Sequence, residues 1–434
     1  TYLRMKSLIS ALTLGAAWAA DWAVLLAGSR TYGNYRHQSD TCHAYQIVHK
    51  FGIPDSNVIV MQYDDIAKDP ENPYPGQIFN KPTPAGTPGV DVYAGCKKDY
   101  TGAAVTPDMF VAVLTGDASK TGGRPVLKSG PTDRVFVFFT DHGGTGIIAF
   151  PDGSLMSSTT LIGAINQMFA QKMYSKLVFY MEACESGSMF EGLIKPSINV
   201  YVTTASNAVE SSWGTYCPPD DMVNGKAINS CLGDLYSINW MENSEAQGPT
   251  ETLQAQFLDV RTKTTQSHVM QYGDLSFTSE PIGNYLGGNS TEFKAQVVTN
   301  PSSGSSSNVK SADIPMHLAY YKYLRADPTD FELRMSLAKE LQMHLNRRVA
   351  VDNVFSGLAS ASNNADAFHV KAKMPVVCDG RCCEKLSNAY AAKCGGWDDY
   401  SLQYHRVFVN LCADIDHQPE QADKMVSTLS SLCA

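Results

Sequence analysis

Two apolar runs, Val135-Phe136-Val137-Phe138-Phe139 and Leu177-Val178-Phe179-Tyr180, constrain the fold of this chain more than anything else in it. A strand with one wet face alternates apolar and polar residues. A strand that is apolar at every position is covered on both faces, the habit of parallel sheets with helices above and below. Both runs stop at glycine-rich turns, Asp141-His142-Gly143-Gly144 and Glu185-Ser186-Gly187-Ser188. Such sheets bind ligands outside the carboxyl ends of their strands. His142 at one end and Cys184 at another form a candidate base and nucleophile.

The surrounding pattern agrees. Residues 22–27, 58–61 and 200–204 read as further strands. A helix is predicted from a Ser39 cap to about His49. Another spans 106–114 with Pro107 in its first turn, and a third runs from Ser157 or Ser158 to about Met173. Strands alternating with helices predict an α/β fold: a mostly parallel sheet flanked by helices. Residues 69–95 are dense in Pro and Gly and read as a long surface loop. Residues 300–311 read as an exposed linker. Beyond it the pattern becomes helical, at 314–324, 331–351, 383–394, 401–412 and 418–432. At 434 residues two domains are expected.

The first 20 residues read as a secretory signal: Arg4 and Lys6, then an apolar stretch, then Ala17-Trp18-Ala19. No later segment has about 18 uncharged apolar residues, so no membrane span is expected. The net charge of −9 argues against a nucleic-acid partner. It is uneven, −10 over residues 21–285 and −2 over 313–434. Eleven cysteines in a secreted chain predict disulfides, and the odd count leaves at least one free thiol, which suits Cys184. Cys42 reads as a second, buried free thiol, and Cys96 is open. Asn289-Ser290-Thr291 is a glycosylation sequon. Asp64-Asp65 lacks the spacing of a calcium loop, so neither a metal nor a cofactor is expected.

Several motifs extend the two turns. Asp141-His142-Gly143-Gly144, Glu182-Ala183-Cys184-Glu185-Ser186-Gly187-Ser188, Gly33-Asn34-Tyr35-Arg36-His37-Gln38, Cys42-His43-Ala44-Tyr45-Gln46 and Ser267-His268-Val269-Met270-Gln271-Tyr272-Gly273 closely resemble the legumain family of asparaginyl endopeptidases. The resemblance is dense over about 22–280 and looser beyond. It implies a caspase-like catalytic domain over 21–285, a linker over 286–312, an activation peptide over 313–327 and a small all-α prodomain over 328–434. It also implies a zymogen of the secretory pathway, vacuolar, lysosomal or secreted.

By the same resemblance Cys184 is the nucleophile and His142 the base, oriented by Asn34. The amides of Gly143 and Cys184 form the oxyanion hole. Arg36, His37, Glu182 and Asp234 line the pocket for the substrate Asn, with Ser211 and Ser212 as its wall. Chemistry supports that set: a carboxamide offers one acceptor and two donors, and needs a cation and carboxylates in return. An Asp substrate fits only when protonated. Asp141 can cyclise to a succinimide in this family. Partners implied are peptides and proteins with exposed Asn, the chain's own prodomain as inhibitor, and cystatin-type inhibitors. Disulfides implied are Cys217–Cys231, Cys382–Cys412 and Cys394–Cys433. Cys378 and Cys383 are additional, and zinc held by Cys378, Cys382, Cys383 and Cys394 is the rival. Self-cleavage is expected after Asn308 first and Asp330 second. Tail cations such as Lys322, Arg325, Arg347 or Arg348 are expected to latch onto catalytic-domain carboxylates.

Three other functions stand beside this one. A peptide ligase would use the same acyl-enzyme with an amine as acceptor. A transamidase subunit would need a C-terminal membrane span. A binding module would have no use for the paired Cys and His.

Overall fold

The computed structural model describes residues 19–288, 307–378, 382–415 and 419–434. The expected signal segment and Asn289 therefore lie outside the described residues, apart from residues 19 and 20.

Six strands form the central sheet: β1 (Asp21–Ala27), β2 (Val58–Met61), β3 (Arg134–Thr140), β4 (Lys176–Glu182), β5 (Val200–Thr204) and, further on, β8 (Met270–Gly273). Their order is β8-β5-β4-β3-β1-β2. All neighbours run parallel except β8, which pairs antiparallel with β5. Side chains alternate between two cores, as the period of two requires. Leu25, Phe136, Phe138, Val178 and Tyr180 face one side, under α1 (Tyr35–Phe51), α4 (Leu235–Gln247) and α5 (Leu253–Lys263). Leu26, Val137, Phe139, Phe179 and Met181 face the other, under α2 (Pro107–Leu114) and α3 (Ser158–Ala170). Trp240 anchors the first core with edge-to-face contacts to Phe136, Phe138 and Tyr180. Burying each such side chain contributes about 1.5–3 kcal/mol.

Three sequence expectations need correction. Helix α1 begins at Tyr35 with Asn34 as its cap residue, not at Ser39. The Ser39 hydroxyl lies inside the helix and donates to the Arg36 and Leu232 carbonyls. Cys42 is not free: it is bonded to Cys96, 54 residues away. That crosslink pins the end of the long loop to α1, and Asn80 pins its middle through Asp40. Closing a loop of this length contributes on the order of 4 kcal/mol in the chain-entropy picture. Finally, the helix predicted to end at residue 351 continues ten residues further.

That helix, α7 (Phe331–Ala361), belongs to a helical cap with α6 (Ile314–Arg325), α8 (Cys383–Lys393), α9 (His405–Asp414) and α10 (Pro419–Leu432). The cap's own core gathers Phe355, Tyr390, Trp397, Tyr404 and Phe408. A small second sheet joins β6 (Trp213–Thr215), β7 (Gly233–Asp234) and β9 (Val309–Lys310), in the order β7-β6-β9. Among the described residues no helix is long and apolar enough to cross a membrane.

Candidate active site

Strands β3 and β4 lie side by side to their ends, where Thr140 pairs with Glu182. The Asp141 amide still donates to the Glu182 carbonyl at 3.0 Å, so the two exit turns start in contact. One carries His142 and the other Cys184. Their closeness depends on Gly143: a Cβ there would stand 2.5 Å from the Cys184 carbonyl oxygen. Glu185, just after the cysteine, takes the left-handed conformation (φ 50°) that turns the chain away from the strand.

Asn34 fixes the histidine. Its side-chain nitrogen donates to the Arg30 carbonyl at 2.9 Å, which turns its oxygen toward His142 Nε2, 2.8 Å away. With Nε2 donating, Nδ1 keeps the lone pair able to accept a proton. His37 supports the ring from behind, edge-to-face at 4.9 Å. It is itself held by the Ser29 hydroxyl at 2.6 Å, with Asp141 at 3.2 Å and Asp234 at 3.4 Å. The Cys184 thiol sits 3.1 Å from the Ser211 hydroxyl and 3.5 Å from that of Ser212. Burial raises the thiol to about 11, Glu185 adds to the rise, and the two serines oppose it. Burial lowers His142 to about 4, against the pull of Asp399. In this closed form the thiol and the imidazole are therefore both neutral near pH 7.

Beside them lies a buried polar chamber. Arg36 Nε donates to Asp234 Oδ1 at 2.9 Å, and both residues are 1% exposed. Glu182 Oε2 accepts the amide and the hydroxyl of Ser237, at 3.0 and 2.9 Å. Asp40, overlooked in the sequence, accepts the Asp234 amide at 3.1 Å. Burial raises the carboxyls of Asp40, Asp141, Glu182 and Asp234; the last three act on one guanidinium, Asp40 faces Asp234 and Glu182, and the four cannot all be ionised together. Five chamber atoms are buried without a hydrogen-bond partner: Arg36 Nη2, Glu182 Oε1, Asp234 Oδ2 and both carboxyl oxygens of Asp141. Unsatisfied buried groups of this kind are costly, and they mark places where a ligand completes the set.

The cap covers all of this. Asp399, on the turn after Gly395 and Gly396, puts a carboxylate oxygen 3.3 Å from His142 Nε2 and raises the Arg36 guanidinium as well. His405 Nδ1 donates to the Thr145 carbonyl at 2.7 Å. The Ser158 hydroxyl donates to the Val376 carbonyl at 3.0 Å. Strand β9 adds to the edge of β6, with Val309 opposite Gly214 and Lys310 opposite Trp213. Next in line, the Ser311 amide donates to the Ser212 carbonyl at 3.0 Å, and the two serine hydroxyls lie 3.1 Å apart. None of these contacts was foreseen. Two glycines before an Asp pair mark a turn, but nothing in the sequence says where that turn points.

The predicted latch cations divide. Arg325 forms a double contact with the fully buried Asp221, at 2.9 and 2.5 Å, and Lys322 reaches Glu71 at 2.7 Å. Arg347 and Arg348 instead bond inside the tail, to Asp398 and Asp313. The Cys217–Cys231, Cys382–Cys412 and Cys394–Cys433 disulfides form as the resemblance implied. Cys378 pairs with Cys383, so all four thiols weighed for zinc are in disulfides. Asn308 lies at the foot of β9, its side chain accepting from the Thr215 hydroxyl at 2.8 Å. Asp330 is the exposed cap residue of α7.

A thiol and an amide-held imidazole on adjacent strand tips, shut under a cap of the same chain, define a cysteine endopeptidase zymogen. The pattern of the Peptidase C13 family matches residues 21–289, and that of the legumain prodomain matches residues 336–433. The vacuolar-processing enzyme of Vicia sativa is 40% identical over 417 residues, covering 92% of this chain and 83% of the relative. Legumain of Canavalia ensiformis is 38% identical, covering 90% and 84%. The chain belongs to the Peptidase C13 family. Among solved structures, caspase-1 from Spodoptera frugiperda overlaps 59% of this chain and 88% of its own at a TM-score of 0.35 and 10% identity, a likeness too slight to bear on function.

Proposed function

We propose that the enzyme cleaves peptide bonds after Asn, and after Asp when that side chain is protonated. Three of the unpartnered atoms of the chamber carry this reading. Arg36 Nη2 offers a donor to a carboxamide oxygen, and Glu182 Oε1 and Asp234 Oδ2 offer acceptors to its two N–H groups. Cys184 gives its proton to His142 and attacks the carbonyl carbon. The developing oxyanion turns to the amides of Gly143 and Cys184. His142 then returns the proton to the leaving amine, and water releases the acid from the thioester. Burial pushes the Asp141 carboxyl well above the usual carboxylate range beside the His142 amide, which favours the protonated form that cyclisation needs. The relatives' name suits a vacuolar setting.

A panel of Ala-Ala-X fluorogenic peptides tests the pocket. We expect turnover for X = Asn, rising turnover for Asp below about pH 5, and little for Gln, Leu or Lys. Leu hydrolysed as fast as Asn would remove the carboxamide role of Arg36, Glu182 and Asp234.

Acid should open the zymogen. Docked, His142 and His405 are both lowered to about 4 by burial; undocked, each returns toward 6.5. As pH falls through 6.5 the open form takes up two protons that the closed form refuses, so closure loses stability. Glu185 acts oppositely. Burial raises it to about 8, so when docked it holds a proton that it would release when open, and acid favours closure through this group. Two imidazoles against one carboxyl leave acid favouring opening between about 6.5 and 4.5. His405→Gln should therefore move the pH of half-maximal activation downward, and an unmoved midpoint would exclude His405 as a sensor. We place self-cleavage at Asn308–Val309 and then Asp330–Phe331. Asn308 lies three residues short of the thiol in the closed form, so β9 must first leave its seat. Mass spectrometry of the acid-treated chain reads the mature ends.

A further inference from the structure

Strand β9 is seated as a substrate would be. It adds antiparallel to β6, and the next residue, Ser311, meets Ser212, whose hydroxyl lies 3.1 Å from that of Ser311 and 3.5 Å from the Cys184 thiol. Ser311 therefore stands where the Asn before the scissile bond would stand, and Lys310 stands where the residue preceding that Asn would lie. The self-strand offers a serine at the reacting position, and its chain turns at once into α6 through Ala312 and Asp313.

Lys310 borders a cavity of about 390 Å³ that reaches from Ser211, beside the thiol, to the cap. The floor belongs to the catalytic domain: Glu185, Glu210, Ser211 and Trp213. Lys310, Lys371 and Arg406 cover it from the tail. Glu210 is committed elsewhere, to the Asn207 and His268 amides and the His268 ring. Glu185 is not. It is 8% exposed, and its Oε2 is buried without a hydrogen-bond partner. Lys310 and Arg406 are the cations that act on it, and neither forms an ion pair with it. In the closed form a buried carboxyl thus faces a cavity roofed by cations that all belong to the inhibitory segment.

We propose that Glu185 is the base of a specificity subsite that selects a Lys or Arg side chain immediately before the substrate Asn. Strand β9 fills this subsite with Lys310, and departure of the tail clears it. The proposal rests on the Asn-cleaving reading above. It concerns a different side chain of the same substrate.

The experiment uses the full chain after acid activation. kcat/KM is measured for Ala-Lys-Asn, Ala-Ala-Asn and Ala-Glu-Asn fluorogenic peptides, in the parent and in Glu185→Gln. The parent should favour Lys over Glu by roughly tenfold or more, the scale of one charge-assisted contact. In Glu185→Gln that ratio should fall to within about twofold of unity. The ratio compares peptides within one protein, so a variant with weaker overall turnover still reports. Ala-Ala-Asn cleaved with no advantage for Lys would overturn the subsite alone, as would a Lys preference that survives Glu185→Gln. No turnover of any of the three by the parent would overturn the Asn reading and the subsite with it.

Discussion

Cys184→Ala should reduce turnover of an Asn peptide on the order of 10⁵- to 10⁶-fold, the scale of removing a nucleophile that works as a unit with its base. No other group can stand in. Ser211 and Ser212 are the hydroxyls nearest the thiol, but both are tied into its surroundings, at 3.1 and 3.5 Å from the sulfur. A hydroxyl is also far less acidic than a thiol. The fold should hold, because Cys184 is the single free cysteine and no crosslink is lost. Full-length variant and parent should give the same circular dichroism and the same denaturation midpoint within about 1 kcal/mol. Hydrolysis within tenfold of the parent would remove Cys184 from the mechanism. The variant should also fail to mature by itself, and so report whether another protease can free the cap.

Arg36→Ala should act on both catalysis and stability. The substrate carboxamide loses its one cationic partner, and kcat/KM for Asn peptides should fall about 30- to 1000-fold, or about 2–4 kcal/mol of transition-state binding. At the same time Asp234 loses the guanidinium 2.9 Å away while fully buried. Breaking such a pair costs about 3–5 kcal/mol when the remaining charge must stay. Here it can be shed. Asp234 is already raised by burial, and without Arg36 it rises further, so the folded form holds a proton that the unfolded form gives up. The loss should therefore be larger at pH 7 than at pH 5. Arg36→Lys separates the two effects. It restores a positive charge, and with it most of the stability, but one ammonium cannot serve Asp234 and a substrate in two directions as the planar fork does. Unchanged kcat/KM in Arg36→Ala would refute the pocket assignment, whatever the stability.

The parallel sheet and the two strand tips were legible because their signals are local. An unbroken apolar run states its burial, and the glycine turn after it states where it ends. The pocket was not local. Arg36 and Asp234 are 198 residues apart, and only the resemblance brought them together. The start of α1 was misread for an instructive reason. Ser39 looks like a cap, whereas the true cap residue, Asn34, makes no side-chain capping bond because its amide is spent on Arg30 and His142. Those two bonds removed the ordinary sign of a helix start. The Cys42–Cys96 bond, the seat of β9 and the reach of Asp399 escaped because each is a meeting of distant segments, with no periodicity to announce it.

The five disulfides fall into two groups. Cys42–Cys96 and Cys217–Cys231 lie within the catalytic body, while Cys378–Cys383, Cys382–Cys412 and Cys394–Cys433 lie within the cap. None joins the two bodies. A cut between them therefore leaves both intact and alters only their effective concentration for each other. While tethered, the cap meets the site at a local concentration in the millimolar range, and weak contacts suffice to keep it shut. Once severed, the same contacts must hold at whatever dilution the compartment imposes. A cut of that kind would turn an intramolecular equilibrium into a bimolecular one, with each body keeping its own crosslinks.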